Sequence, residues 1–283
     1  MGQVTAKDGT SIAYHRSGAG PPVILLRAGF VERSAYASLA AALAEHFTVF
    51  NCDRRAQGDS GNTLPYALER EIEDVAALSG VAVAQSGGAL PSVFGVSSGG
   101  ALALEAAAAG VQLHRIAVYE VPYCVAGDTP KRWRDYVDGL WVALVQGRLD
   151  DALELFMRFS GCSEFEIVSA RNSPHWAGLA TEAYKLAYDA ASTGDGQPPA
   201  DRLAAIRQPA LVATGGVPAS SRPGMKGMPP DFYDRAADAI AACIPRAQRL
   251  VFDGRSHEPD PAETAQALGR FFAGGAGGWT DSG

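Results

Sequence analysis

The sequence predicts an α/β protein with a mostly parallel, eight-stranded sheet flanked by helices. Short apolar runs alternate with longer Ala/Leu-rich stretches, the pattern of strands joined by helical crossovers. From about Tyr123 to Pro199 the strand signal fades into helices and then resumes, so a helical block interrupts the sheet. A chain of 283 residues, 47% of them hydrophobic, can bury the core that such a domain needs.

The expected strands are Gln3 to Ala6, Ser11 to Arg16, Val23 to Leu26, Phe47 to Cys52, Ser92 to Val96, Arg115 to Tyr119, Ala210 to Ala213 and Arg249 to Phe252. The first two form an antiparallel hairpin, because Lys7-Asp8-Gly9 is turn chemistry with a glycine free to take positive φ. Helices are expected over Ser34 to Glu45, Glu69 to Ser79, Ser98 to Ala109, Asp231 to Cys243 and Pro261 to Phe272. The division is then a core of residues 1–122 and 200–273, a helical cap of 123–199, and a mobile Gly-rich tail of 274–283.

Composition removes several classes of function. With 24 Lys and Arg against 31 Asp and Glu the net charge is −7, and no basic stripe is present to follow a phosphate backbone, so nucleic acid is not an expected partner. Cys52, Cys124, Cys162 and Cys243 are far apart and lack C-x-x-C spacing, which reads as free thiols in a reducing compartment. The uncharged run from Val75 to Leu104 could span a bilayer by length, but seven Gly and Pro residues break it into short buried elements. Met1 to Ser11 carries no apolar signal core. A cytoplasmic protein, monomeric or homodimeric, acting on a small molecule without a membrane partner is expected.

Chemistry enters at Gly95-Val96-Ser97-Ser98-Gly99, a G-x-S-x-G between an expected strand and an expected helix. Glycines two residues either side of Ser97 leave room for a sharp turn that lifts its hydroxyl off the strand end, beside a helix N-terminus that favours negative charge. A serine nucleophile needs a base. Of the five histidines, His15, His46, His114 and His175 fall in the hairpin, at a helix end, at the far side of a strand and in the helical block. His257 follows the last strand, at the carboxyl edge of the sheet where open α/β folds gather their ligands.

With Pro21-Pro22-Val23-Ile24-Leu25-Leu26 before a Gly-containing turn, Asp53-Arg54-Arg55-Ala56-Gln57-Gly58-Asp59-Ser60, the elbow and the late His257, the chain resembles the α/β-hydrolase superfamily over nearly its whole length. It is most similar to the small capped serine hydrolases of bacteria, with the cap inserted after the sixth strand. The resemblance implies a Ser-His-acid triad and no metal or organic cofactor. The family most often places its acid after the strand at Pro209 to Thr214, yet Gly215 to Pro230 contains neither Asp nor Glu. A family variant places the acid one strand earlier, where Glu120 stands; Asp253 and Asp260 are rival partners for His257.

The oxyanion hole implied by the family takes one N–H from Ser98 and a second from Gly29, with Phe30 the fallback, in an Arg27-Ala28-Gly29-Phe30 turn where the family usually has His-Gly. Arg27, at the end of a buried strand, needs a partner: Asp53, Glu32 or Asp253 would make it structural, and a polar substrate group would make it a binding residue. Phe30 and the cap residues Trp133, Trp141 and Trp176 are further substrate-binding candidates. The expected activity is hydrolysis of an ester or lactone of a small to medium, partly apolar molecule. The alternatives on this fold are a non-hydrolytic lyase or cyclase, or a catalytically silent ligand-binding protein. Ser rather than Asp at the elbow argues against dehalogenase or epoxide hydrolase chemistry.

Overall fold

The computed structural model describes residues 1–29 and 33–274. Eight strands form one sheet: β1 (Gly2–Thr5), β2 (Ser11–Ser17), β3 (Pro22–Leu26), β4 (Thr48–Cys52), β5 (Ser92–Val96), β6 (Ile116–Tyr119), β7 (Ala210–Gly215) and β8 (Ala247–Phe252). Their order is β1-β2-β4-β3-β5-β6-β7-β8. The β1–β2 hairpin and the β2–β4 pair are antiparallel, and every later pairing is parallel. The sheet is therefore the one that the alternation predicts, with strand ends moved by a residue or two.

Side-chain alternation along the central strands builds two apolar layers. Ile24, Leu26, Val93, Ile116, Val118 and Val212 point to one face, packed by α2 (Leu68–Gln85), α3 (Ser98–Ala108), α9 (Ala200–Ala204) and α10 (Phe232–Cys243). Val23, Leu25, Phe94, Val96, Ala117 and Leu211 point to the other, covered by α1 (Ala37–Leu43) and α11 (Pro261–Phe272). The expected helix from Ser34 splits into a 3-10 turn (Arg33–Tyr36) and α1, which begins without a side-chain cap. The helix expected to stop at Ser79 continues to Gln85: Val75, Leu78 and Ala82 extend one buried stripe, and Gly80 faces open space.

Between β6 and β7 the chain forms α4 (Thr129–Val145), α5 (Leu149–Ser160), α6 (Glu164–Arg171), α7 (Trp176–Thr181) and α8 (Leu186–Thr193). These helices share a third apolar cluster, containing Trp133, Tyr136, Leu140, Phe159 and Trp176, which is continuous with Phe232 and Tyr233 at the start of α10. The insertion is thus packed onto the end of the sheet core rather than standing apart from it. Among the described residues no helix is long and apolar enough to cross a membrane. The expected mobile tail is 274–283, of which all but Gly274 lies outside the described residues.

Candidate active site

Ser97 sits between β5 and α3 with φ of 54°, a left-handed conformation that few non-glycine residues hold. Its neighbours explain how the turn closes. A Cβ on Gly95 would come 2.5 Å from the Gly99 carbonyl oxygen, and one on Gly99 would come 2.4 Å from that of Arg27. Both contacts are with backbone, so only glycine lets the strand end, the helix start and the turn after β3 approach this closely.

Glu120 follows β6 directly, also at positive φ (47°), and is fully buried. Its Oε2 lies 2.8 Å from His257 Nδ1. Its two oxygens accept from Arg222 Nη1 at 2.7 Å and Nη2 at 2.8 Å, and Oε1 also accepts from the Gly215 N–H at 3.0 Å. Burial pushes the Glu120 carboxyl upward, but the hydrogen bonds from His257 and Arg222 outweigh it and hold the group below the usual glutamate range. An ionised Glu120 can only accept, so His257 carries its proton on Nδ1 and presents Nε2 as the basic nitrogen. The ring stacks on Tyr233 with centroids 5.3 Å apart, and Tyr119 donates to the Ser256 carbonyl, which anchors the loop. Of the rival acids, Asp260 caps α11 through the Glu263 N–H and pairs with Arg255, and Asp253 makes no described contact with His257.

Arg222 is a residue that the sequence reading missed. It lies in the loop after β7, the segment noted for having no carboxylate, and supplies a guanidinium to the acid carried by the neighbouring strand.

The turn after β3 is built on buried charge. Arg27 is fully buried and donates to Asp53 Oδ1 at 2.8 Å and to the Cys52 carbonyl at 2.7 Å, so of its possible roles the structure gives it the pairing with Asp53. It does not line the cavity described below, and a substrate-binding role for it is set aside. Phe30 and Glu32 lie outside the described residues. The Gly29 N–H donates to Ser98 Oγ at 3.2 Å, and the same hydroxyl accepts from Arg54 Nη1 at 3.0 Å. Arg54 is held by Glu71 through Nε and Nη2, the shortest contact being 2.7 Å, and reaches Asp189 Oδ1 on α8 at 3.0 Å.

Asp189 explains Gly29. A Cβ at position 29 would lie 1.6 Å from Asp189 Oδ2, so the glycine is there to admit a carboxylate from the insertion. No sequence signal pointed to Asp189, which is 160 residues away along the chain.

Ser97, Ser98, Gly29, Asp189 and His257 line one cavity of about 350 Å³. Its remaining wall is mostly aromatic and apolar, with Trp133, Tyr136, Phe156, Phe159, Phe232 and Tyr233. Of the three tryptophan candidates only Trp133 lines it, its Nε1–H satisfied by the Gly194 carbonyl at 3.0 Å. Trp141 is on the outer side of α4 and 45% exposed. Trp176 is buried in the insertion core, donating to Asp150. Among the described residues no group of three or more His, Cys, Asp or Glu side chains could hold a metal ion.

The alpha/beta hydrolase family model matches residues 18–268. The chain belongs to that family. An alpha/beta hydrolase from Sphaerobacter thermophilus is 38% identical, with a TM-score of 0.77 over 96% of this chain and 100% of that one. At the level of fold alone, the chain is similar to a thermophilic esterase from Thermogutta terrifontis (21% identity, TM-score 0.65, 96% and 97% covered). The same holds for the enol-lactonase from Burkholderia xenovorans (20% identity, TM-score 0.60, 96% and 97% covered). No curated protein matches the chain. Ser97, Glu120 and His257 follow the carboxyl ends of the parallel strands β5, β6 and β8, in line with the general rule for sites in open α/β sheets.

Proposed function

We propose that this member of the alpha/beta hydrolase family is a serine hydrolase that cleaves an ester or lactone of a small to medium, partly apolar molecule. The observation that carries the reading is the 2.8 Å contact between Glu120 Oε2 and His257 Nδ1, with Ser97 and His257 on the wall of one cavity. Ser97 attacks the carbonyl carbon while His257 Nε2 takes its proton. Glu120 holds the ring in the productive tautomer and stabilises the imidazolium. The backbone N–H of Ser98 binds the developing oxyanion, and the Gly29 N–H joins it by exchanging Ser98 Oγ for the new charge. The imidazolium then protonates the leaving alcohol, and water releases the acyl group by the same route.

The helices between β6 and β7 act as the cap and supply most of the aromatic wall, which suits an apolar acyl or alcohol part. Fold relatives include an esterase and an enol-lactonase, activities in keeping with this reading. The test is labelling by a fluorophosphonate together with turnover of a short p-nitrophenyl ester. The expected result is one label on Ser97, absent in Ser97→Ala, and loss of turnover in that variant by several powers of ten while it stays folded. A folded Ser97→Ala that keeps its turnover rules the reading out.

A further inference from the structure

Among the described residues the cavity wall carries its negative charge at one place, Asp189 on α8. Arg54 is shared between two carboxylates, Glu71 through Nε and Nη2 and Asp189 through Nη1; Glu71 is the fully buried one, its carboxyl pushed upward by burial, while Asp189 is partly exposed. The neighbouring guanidiniums have their own carboxylates: Arg27 pairs with Asp53, Arg33 with Asp53 and Asp59, and Arg55 with Asp8 and Asp74. Among the described residues no Lys or Arg lines the cavity, and Asp189 is the one carboxylate that does. Its Oδ1 is engaged by Arg54, while Oδ2 is directed at the Gly29 turn and has no described donor.

A carboxylate in this place is costly for the proposed reaction on a neutral ester, because the oxyanion would develop on the same side of the cavity. It becomes favourable if the substrate brings a cation. From this geometry, and resting on the hydrolase reading, we propose that Asp189 makes the site selective for esters carrying a cationic nitrogen, and that it rejects those carrying a carboxylate. The aromatic wall fits such a group, since ring faces attract ammonium ions, most strongly where water is excluded. Asp189 pairs with the cation in the ground state and, by doing so, ceases to oppose the oxyanion. The selection therefore appears in kcat/KM.

Asp189 also fastens α8 to the core through Arg54, and a purely structural role must be distinguished from charge selection. The experiment uses p-nitrophenyl esters of three matched acyl chains ending in trimethylammonium, tert-butyl or carboxylate, with wild type and Asp189→Asn. The expected wild-type order in kcat/KM is trimethylammonium above tert-butyl by about tenfold or more, with carboxylate lowest. In Asp189→Asn the cationic ester loses about tenfold relative to the neutral ester, so the two converge. A parallel loss for all three esters means that Asp189 only fastens the cap, and a wild type indifferent to charge also overturns the proposal. If no ester turns over and no fluorophosphonate labels Ser97, it is the hydrolase reading that fails. Calorimetry of Ser97→Ala with benzyltrimethylammonium and with benzoate still decides charge selection: the cation is expected to bind at least about tenfold tighter, and equal affinities refute it.

Discussion

Arg222 grips Glu120 by two hydrogen bonds of 2.7 and 2.8 Å while His257 shares one of the same carboxylate oxygens at 2.8 Å. The imidazole therefore leans on an acid whose charge is already half committed to a permanent cation. Arg222 lies over the ring of Tyr233 at 5.0 Å, and Tyr233 in turn stacks on His257, so the guanidinium contacts Glu120 directly and reaches His257 only through Tyr233. In the proposed reaction Arg222 would be a positioning residue, acting through Glu120.

Removing that cation should shift the pH profile. Glu120 is faced by Arg222, His257, Tyr119 and Tyr233. In Arg222→Met its charge falls to the imidazolium alone, which favours protonated His257. Attack needs the unprotonated ring, so the acidic limb of kcat/KM is expected to move to higher pH. Arg222→Lys should restore most of the wild-type limb. A profile that drops in height without moving would show Arg222 to be structural only.

Glu120→Gln keeps the size of the side chain and removes its charge. We expect kcat to fall at least about a hundredfold, because nothing then stabilises the imidazolium. Stability should suffer too, since Arg222 is left buried without its anion, at a cost of about 3 kcal/mol. The Glu120 carboxyl is held below its ordinary range, so its contribution is complete above that range and lost as pH falls through the native value. The stability gap between wild type and variant should therefore be widest near neutral pH and narrow on strong acidification, measured by urea unfolding at several pH values.

What could be read from the sequence follows a physical division. β5, the elbow and α3 were legible because the local pattern of glycines and apolar residues dictates local geometry, and the backbone contacts of Gly95 and Gly99 show why those residues are fixed. Glu120 was singled out through the family resemblance, whose usual acid position after β7 holds no carboxylate here, and it lies within hydrogen-bond reach of His257. Arg222 and Asp189 were not, because each acquires its role only when a distant segment folds against it: Arg222 crosses from the β7 loop to the end of β6, and Asp189 descends from α8 onto the β3 turn. Nor could composition rank the tryptophans, whose helical positions look alike until the insertion's packing assigns one to the cavity, one to the core and one to solvent.

Those three assignments give separate outcomes. Trp133→Ala enlarges the cavity and should change KM and acyl-chain preference more than turnover of a very small ester. Trp176→Ala should cost about 3 to 5 kcal/mol of stability as a core truncation, with little change in substrate profile. Trp141→Ala should leave stability within about 0.5 kcal/mol and the profile untouched. Thermal unfolding and a panel of esters of increasing chain length separate the cases, and a Trp141 effect on chain preference would contradict the cavity boundary drawn here.

Gly29 and Asp189 offer the most stringent test of how the insertion meets the core. The glycine has no need of positive φ; what it provides is space, because a methyl group there would lie 1.6 Å from Asp189 Oδ2. In Gly29→Ala the carboxylate can swing aside only by giving up its 3.0 Å bond to Arg54, or else the turn carrying the expected oxyanion donor must move. We expect a loss of about 1 to 3 kcal/mol in stability and of tenfold or more in kcat/KM for a neutral ester. Asp189→Ala removes the obstacle, so the double variant should be more stable than the two single changes sum to, by about 1 kcal/mol in a double-mutant cycle. Additive effects would mean that residue 29 and Asp189 do not touch in solution, and that the insertion sits farther from the turn than the hydrogen bond from Arg54 places it.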